Sequence, residues 1–422
     1  MGKNKPYLGF RMRNSNRFTV PVLLNVIESS KLDRFFHIKI LEKFSELKQF
    51  VQSRVPGLLL YSFMTPHLPE IQEEMNWILQ HRDKKLRLLA GGPHTIGEPE
   101  SSLKLGFDFA YVGPAETGFF KVLEDFLQNK LSYEKVVFYA PETSNLDKSL
   151  PLTQYIKSIP PLEITRGCYW NCKFCQTACH KAIHRSFDSF KFFYQEVKKR
   201  HLHRRIGFIC PSAFEYGAHN AKELNPDAVY NLLSYCKSNG TQYLEYGIFP
   251  SETRPNSFQE KFVDLIVQFC SNKKITIGAQ TGSNRLLRQI RRGHTTQEVE
   301  YACEMAYRKG LRPLVDIIFG FPDETSDDRR ETCDFIKKIA VKYKARVHVH
   351  YFLPLAGTPL YDSHPKPIDY RTMDTLKKFQ KDGICTGWWE TGQQLSANLI
   401  RIRKSLLEQK IVYQKQYLSI EL

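Results

Sequence analysis

The sequence predicts an α/β protein in three parts. An open parallel-sheet domain covers residues 1–155. A partial (β/α)6 barrel of the TIM type covers 156–365, and a short helical C-terminal region covers 366–422. Three observations lead there. Short β-like runs alternate with helix-like runs through the first 365 residues, the pattern of parallel sheets covered by helices. Residues Pro141 to Pro161 carry several prolines and no periodicity, as a linker does. In the second part, every unusual loop follows an expected strand.

In the first part, strands are expected over 7–11, 35–41, 57–61, 86–90 and 109–112, with helices over 20–31, 68–81 and 116–127. In the second, strands are expected over 162–165, 206–210, 243–246, 275–279, 314–319 and 347–352. Helices are expected over 189–201, 226–238, 257–271, 296–309 and 326–341. The loops after those six strands hold Cys168 to Cys175, Pro211-Ser212-Ala213-Phe214, Pro250 to Pro255, Gln280-Thr281-Gly282-Ser283, Gly320 to Thr325, and Leu355 to Leu360. Parallel barrel strands put these loops on one rim, where such folds carry their active sites. The third part reads as polar, basic and helix-like, packed on the barrel or forming part of the substrate mouth.

Composition narrows the class. With 42% apolar and 13% aromatic residues the chain is globular. No apolar run approaches the ~20 residues of a membrane helix, and no apolar signal core follows Met1, so a cytoplasmic protein with no membrane partner is expected. The six scattered cysteines, Cys210, Cys236, Cys270, Cys303, Cys333 and Cys385, are then read as reduced core or surface thiols. Lysine and arginine exceed aspartate and glutamate by 17, which suits a polyanion such as tRNA. The densest basic block, Lys198 to Arg205, also reads as the solvated end of a helix.

The chemistry starts at Cys168, Cys172 and Cys175, spaced C-x3-C-x2-C. Three thiolates at this spacing suit a 4Fe-4S cluster with one iron left open, since a closed cluster takes four. Cys179, with His180 and His184 near it, leaves a closed zinc or electron-transfer site as the alternative.

The loops together resemble the radical S-adenosylmethionine (radical SAM) superfamily over roughly 200 residues. The closest likeness is to the branch of the methylthiotransferases, the Elongator catalytic subunit and the cobalamin-dependent enzymes. Gln280-Thr281-Gly282-Ser283 with Arg292-Gly293-His294-Thr295, Gly320-Phe321-Pro322 with Glu324-Thr325, and Gly357-Thr358-Pro359 carry it. The resemblance implies S-adenosylmethionine on the open iron, cleaved reductively to a 5′-deoxyadenosyl radical, with an electron donor such as flavodoxin or ferredoxin. It implies Cys168, Cys172 and Cys175 as cluster ligands and Phe174 beside the adenine. Gln280 and Ser283 would face the ribose or methionine. Arg292 would pair with the carboxylate, and Gly320 would let backbone approach the adenine. The family's Gly-Gly-Glu-like motif is absent; Ser212 and Glu215 are the alternatives left for the amino group.

Gly91-Gly92-Pro93-His94 and Val112-Gly113-Pro114-Ala115-Glu116 resemble the cobalamin-binding Rossmann-like domain that precedes many radical SAM cores. Gly91 and Gly92 would admit the cofactor tail. The Asp-x-His-x-x-Gly motif of the lower cobalt ligand is missing, and His37, His67, His81 and His94 do not replace it. Cobalamin is then either bound without a protein ligand or lost. His94 alone, with no partner at ligand spacing, reads as a loop residue. Three functions follow: a radical SAM enzyme, as a cobalamin-dependent methyltransferase where that cofactor is kept; a methylthiotransferase-like tRNA modifier; or a non-enzymatic iron–sulfur or zinc module. The second is weakened because no cysteine precedes Cys168 to build that family's additional cluster.

Overall fold

The computed structural model describes residues 5–131, 134–141 and 145–419. The chain packs into two units. The first holds Met1–Pro160, Leu355–Gly357 and Asn398–Leu422; the second holds Pro161–Pro354 and Thr358–Ala397.

The first unit runs β1 (Tyr7–Arg11), α1 (Thr19–Ser29), β2 (His37–Leu41), α2 (Phe44–Gln52), β3 (Gly57–Ser62), α3 (Leu68–His81) and β4 (Leu86–Gly91). It continues with α4 (Pro93–Gly97), α5 (Pro99–Lys104), β5 (Phe109–Val112), α6 (Phe119–Leu127) and β6 (Val136–Tyr139). Its strands pair in parallel, in the order β6-β5-β4-β3-β1-β2. Leu58, Leu59 and Leu60 of β3 are buried on both faces, which is why a continuous apolar run forms a strand here. The expected strands and helices all appear, while α2, α4, α5 and β6 are additions. β6 is only four residues, too short to announce itself by alternation.

The second unit begins with β7 (Leu162–Glu163), β8 (Thr165–Arg166), β9 (Ile183–His184), α7 (Phe187–Lys199), β10 (Arg205–Ile209), α8 (Pro226–Ser238) and β11 (Tyr243–Glu245). Next come α9 (Glu260–Phe269), β12 (Lys274–Gln280), α10 (Asn284–Gln289), α11 (Thr296–Arg308) and β13 (Arg312–Phe319). It ends with α12 (Ser326–Tyr343), β14 (Arg346–Tyr351), α13 (Tyr370–Lys381) and β15 (Cys385–Gly387). One parallel sheet is ordered β11-β10-β7 and the other β12-β13-β14-β15. A parallel bridge from Thr253 to Ile277 joins them into a partial barrel. The six expected strands are present, the first of them broken into β7 and β8, while β9, α10 and β15 are additions. β13 and β14 alternate strictly: Val315, Ile317, Phe319, Val347 and Val349 are buried under the helices, and the residues between them face the barrel interior.

The chain closes with α14 (Trp389–Leu407) and β16 (Gln414–Tyr417), which pairs with β6 as a seventh parallel strand of the first sheet. The C-terminal region is thus helical, as expected, with two short strands added. All four β16 residues are exposed, so no apolar face marks it as a strand in the sequence. Among the described residues no helix is long and apolar enough to cross a membrane.

Candidate functional site

The cysteine loop is an arch held at its base and at its crown. At the base, β8 and β9 pair antiparallel, Thr165 with His184 and Arg166 with Ile183. Cys168 N donates to His180 O at 3.0 Å. Gly167 has φ +78°, and a Cβ on it would lie 2.2 Å from Lys181 O, so glycine is required there. Tyr169 Oη donates to Ala218 O and contacts His184 Nε2. At the crown, Lys173 N donates to Ile290 O at 3.1 Å and Leu360 N donates to Lys173 O at 3.2 Å. The arch is therefore tied to the loops that follow β12 and β14, at the carboxyl rim of the barrel.

Two guanidiniums meet at the middle cysteine. Arg254 Nη1 and Arg292 Nη1 each lie 3.5 Å from Cys172 Sγ. Arg254 also donates to Arg292 O, and Arg292 Nη2 donates to Gly278 O at 2.6 Å. Burial pushes the Cys172 thiol up, but Arg292 and Arg254 outweigh it and hold its pKa below the usual thiol range. Cys168 lacks that direct pair and burial carries it up to about 11. Burial and Arg292 push Arg254 itself down to about 10. Arg254 lies over the Trp170 ring at 4.3 Å, and Trp170 Nε1 donates to Glu215 Oε1 at 2.9 Å. Burial raises the pKa of Glu215.

The predicted residues divide. Ser212, Gln280 and Arg292 are buried, and Arg292 is the one that touches a cysteine of the arch. Gln280 closes β12 with φ +77°, a conformation that only a constrained site imposes on glutamine. Its side-chain nitrogen and Arg292 Nη2 both crowd Gly278, where a Cβ would sit 2.8 and 2.7 Å from them. Phe174 packs edge-on to Phe321 at 5.4 Å, in an apolar cluster with Leu286, Ile290 and Phe352. Gly320 has φ +86° beneath the Tyr351 ring, and its N–H donates to Glu324 Oε2 at 2.8 Å. Ser283 is occupied elsewhere: it caps α10 and donates to Asp328 Oδ1 at 2.6 Å. Sequence reasoning passed over Arg254, Trp170 and Gly278. Arg254 stood in a quoted rim loop, but only the fold brings it to Cys172.

In the first unit, Gly91 ends β4, and a Cβ there would meet nothing nearer than 3.9 Å. Gly92 has φ +90° and lies against the Phe63 backbone. His94 is fully buried between Thr65 Oγ1 at 3.0 Å and Ser101 Oγ at 2.7 Å, and burial lowers its pKa to about 3. Both ring nitrogens are used, so His94 is a neutral core residue and offers cobalt nothing.

The residues at the arch fit an iron–sulfur cluster with a polar ligand beside it. Buried side-chain atoms without a partner gather on this rim: Ser212 Oγ, Arg254 Nε, Asn256 Oδ1, Arg292 Nε and His294 Nδ1. Burial and the two arginines lower the pKa of His294 to about 2; its Nε2–H donates to Ala279 O at 3.1 Å, leaving Nδ1 an acceptor. Such atoms are costly until a bound group satisfies them. Among the described residues no three His, Cys, Asp or Glu side chains gather as ligands of one metal ion do. One zinc ion would draw its sulfurs within about 3.8 Å of each other, whereas a cube holds them on separate irons. The side chain of Cys179, the alternative fourth ligand, lies outside the described residues.

Fold and site together describe a partial barrel with a three-cysteine rim loop, in a chain that also carries a Rossmann-like parallel sheet. Residues 162–336 match the Radical SAM superfamily, whose members use a 4Fe-4S cluster and S-adenosylmethionine. The chain is 26% identical over 278 residues to the threonylcarbamoyladenosine tRNA methylthiotransferase of Aquifex aeolicus, covering 63% of each chain. It is 24% identical over 315 residues to an uncharacterized methyltransferase of Pyrococcus horikoshii, covering 68% of this chain and 64% of that one. In structure it is similar to TsrM from Kitasatospora setae, a radical SAM methyltransferase solved with cobalamin and a 4Fe-4S cluster. The TM-score is 0.60 at 13% identity, over 84% of this chain and 77% of that one. It is also similar to OxsB, a cobalamin-dependent SAM radical enzyme solved with aqua-cobalamin. That TM-score is 0.58 at 15% identity, over 90% and 56%. At such identities the likeness is one of fold.

Proposed function

We propose that this protein is a radical SAM enzyme and a cobalamin-dependent methyltransferase. The observation that carries the first part is the Cys172 sulfur beneath two buried guanidiniums, amid unpartnered polar atoms on the barrel rim. Cys168, Cys172 and Cys175 would hold the cluster, which when bound would supply the electron for reductive cleavage of S-adenosylmethionine to methionine and a 5′-deoxyadenosyl radical. The chain's own residues set the conditions. Arg254 and Arg292 favour the Cys172 thiolate and stabilise negative charge beside it. Arg292, with Nε unsatisfied, is suited to a carboxylate. Ser212 Oγ and His294 Nδ1 are buried acceptors for an ammonium group, and Glu215 stands behind Trp170. Phe174 and Phe321 form an apolar wall that excludes water.

Cobalamin is supported by the fold shared with TsrM and OxsB. With His94 sealed between two hydroxyls, the reading is a cobalamin without a lower protein ligand. An electron donor such as flavodoxin or ferredoxin, in the cytoplasm, completes the proposal. A second reading, a methylthiotransferase-like tRNA modifier, is favoured by the sequence likeness to the Aquifex aeolicus enzyme and by the net charge of +17. Binding to tRNA whose affinity falls steeply with salt supports that reading, and a flat salt dependence removes it.

The test is anaerobic reconstitution followed by iron, cobalt and 5′-deoxyadenosine analysis of one sample. Expected are about four irons per chain and deoxyadenosine under reducing conditions. Cys168→Ala, Cys172→Ala or Cys175→Ala abolishes both, while Cys179→Ala keeps both. Loss of iron in Cys179→Ala equal to that in Cys168→Ala means a closed site and refutes the proposal.

A further inference from the structure

The barrel interior next to Arg292 carries polar side chains that the reaction above leaves without a task. Gly278, Asp316, His348 and Thr386 stand in register across β12, β13, β14 and β15. His350 Nε2 lies 3.6 Å from Asp316 Oδ1, and the His348 and His350 rings are 4.4 Å apart. Trp388 stands edge-on to His350 at 5.5 Å. Glu252 precedes Thr253, which bridges to Ile277 on β12, and it stands close enough to Asp316, His350 and Arg292 to feel their charges. Burial and then Asp316 raise the Glu252 carboxyl to about 7. Neither the Glu252 nor the Asp316 carboxylate accepts a hydrogen bond from the described residues.

The charges facing this interior do not balance. Glu252 and Asp316 are acids. His348 is held toward its neutral form by burial and His350. The near cation, Arg292, is already bonded to Gly278 O and set against Cys172. With no protein donor to either carboxylate, a ligand bringing N–H groups to them would form charge-assisted hydrogen bonds there. Gly278 joins the two regions: its carbonyl holds Arg292, and it pairs with Asp316 on the next strand.

We infer that Glu252, Asp316 and His350 form the substrate subsite and that it takes a protonated amine, with Trp388 as the apolar wall beside it. The two carboxylates receive the ammonium N–H groups, and His350 keeps Asp316 oriented. The inference rests on the radical SAM reading, which places a substrate in the barrel, and adds the substrate's chemical class.

The test uses the reconstituted full chain and benzylamine as the probe, with benzyl alcohol and benzoate as its neutral and anionic counterparts. Calorimetric titration is expected to show saturable benzylamine binding, with both counterparts about tenfold weaker or more. Glu252→Gln and Asp316→Asn each weaken benzylamine by about tenfold, with folding checked by circular dichroism. The comparison of three probes on the unaltered chain stands even where a variant folds poorly. Absent benzylamine binding, equal binding of the alcohol, or unweakened variants overturn the subsite. Deoxyadenosine formation is measured on the same sample: its absence refutes the radical reading, whereas amine selectivity reports on the subsite alone.

Discussion

At the residue scale, the site depends on where side chains are missing as much as on where they are present. Gly293 has φ +76°, and a Cβ on it would sit 2.6 Å from the Trp170 ring. That ring lies under Arg254 and donates to Glu215, so moving it disturbs the guanidinium beside Cys172. Gly293→Ala combines a left-handed backbone penalty with this clash, a cost of about 1–3 kcal/mol for the backbone alone. It is expected to lower iron retention on reconstitution as well as the urea midpoint. Normal iron content with an unchanged midpoint would show that the Trp170 clamp does not hold the arch.

At the element scale, the helices that follow the rim loops begin with explicit caps. Ser283 caps α10, and Thr295 and Thr325 form capping boxes at α11 and α12. Asp328 ties two of these helix starts together, accepting from Ser283 Oγ and Arg285 Nε at α10 and from Thr325 N at α12. Burial raises its pKa, but Arg285, Ser283 and Thr325 outweigh that and hold it down at about 2. A folded value below the unfolded one contributes stability above the ordinary carboxylate pKa, lost as pH falls toward 2. The difference amounts to about 2 kcal/mol at neutral pH. Asp328→Asn is therefore expected to lose about that much at pH 7 and to flatten the decline of stability below pH 4. Urea unfolding at a series of pH values measures both, and an unchanged acid limb would assign that decline to other carboxylates.

At the scale of the whole molecule, the chain ends by extending the sheet with which it begins. β16 pairs with β6, and Leu418, just past it, is buried in the first unit's core with Phe119, Val136 and Phe138. Leu418→Ala is expected to cost about 2–5 kcal/mol, as for other buried leucines, read as a lowered midpoint for the first unit. A change under about 0.5 kcal/mol would mean that β16 rests on the edge without support from the core. The barrel's βα order, its helix spans and the three-cysteine loop were legible from periodicity and spacing, because each is written in residues close together in the chain. β16 was not, since an exposed polar edge strand carries no alternation. The meeting of Arg254 and Arg292 on Cys172 was not, because it joins residues up to 120 apart. Nor was the Glu252, Asp316 and His350 group, for a side chain's direction into a barrel depends on strand register. By itself the sequence determined the succession of elements, the thiolate spacing and the net charge. Tertiary structure alone decided which charges face which, because electrostatic energy depends on separation in space and burial rather than on distance along the chain.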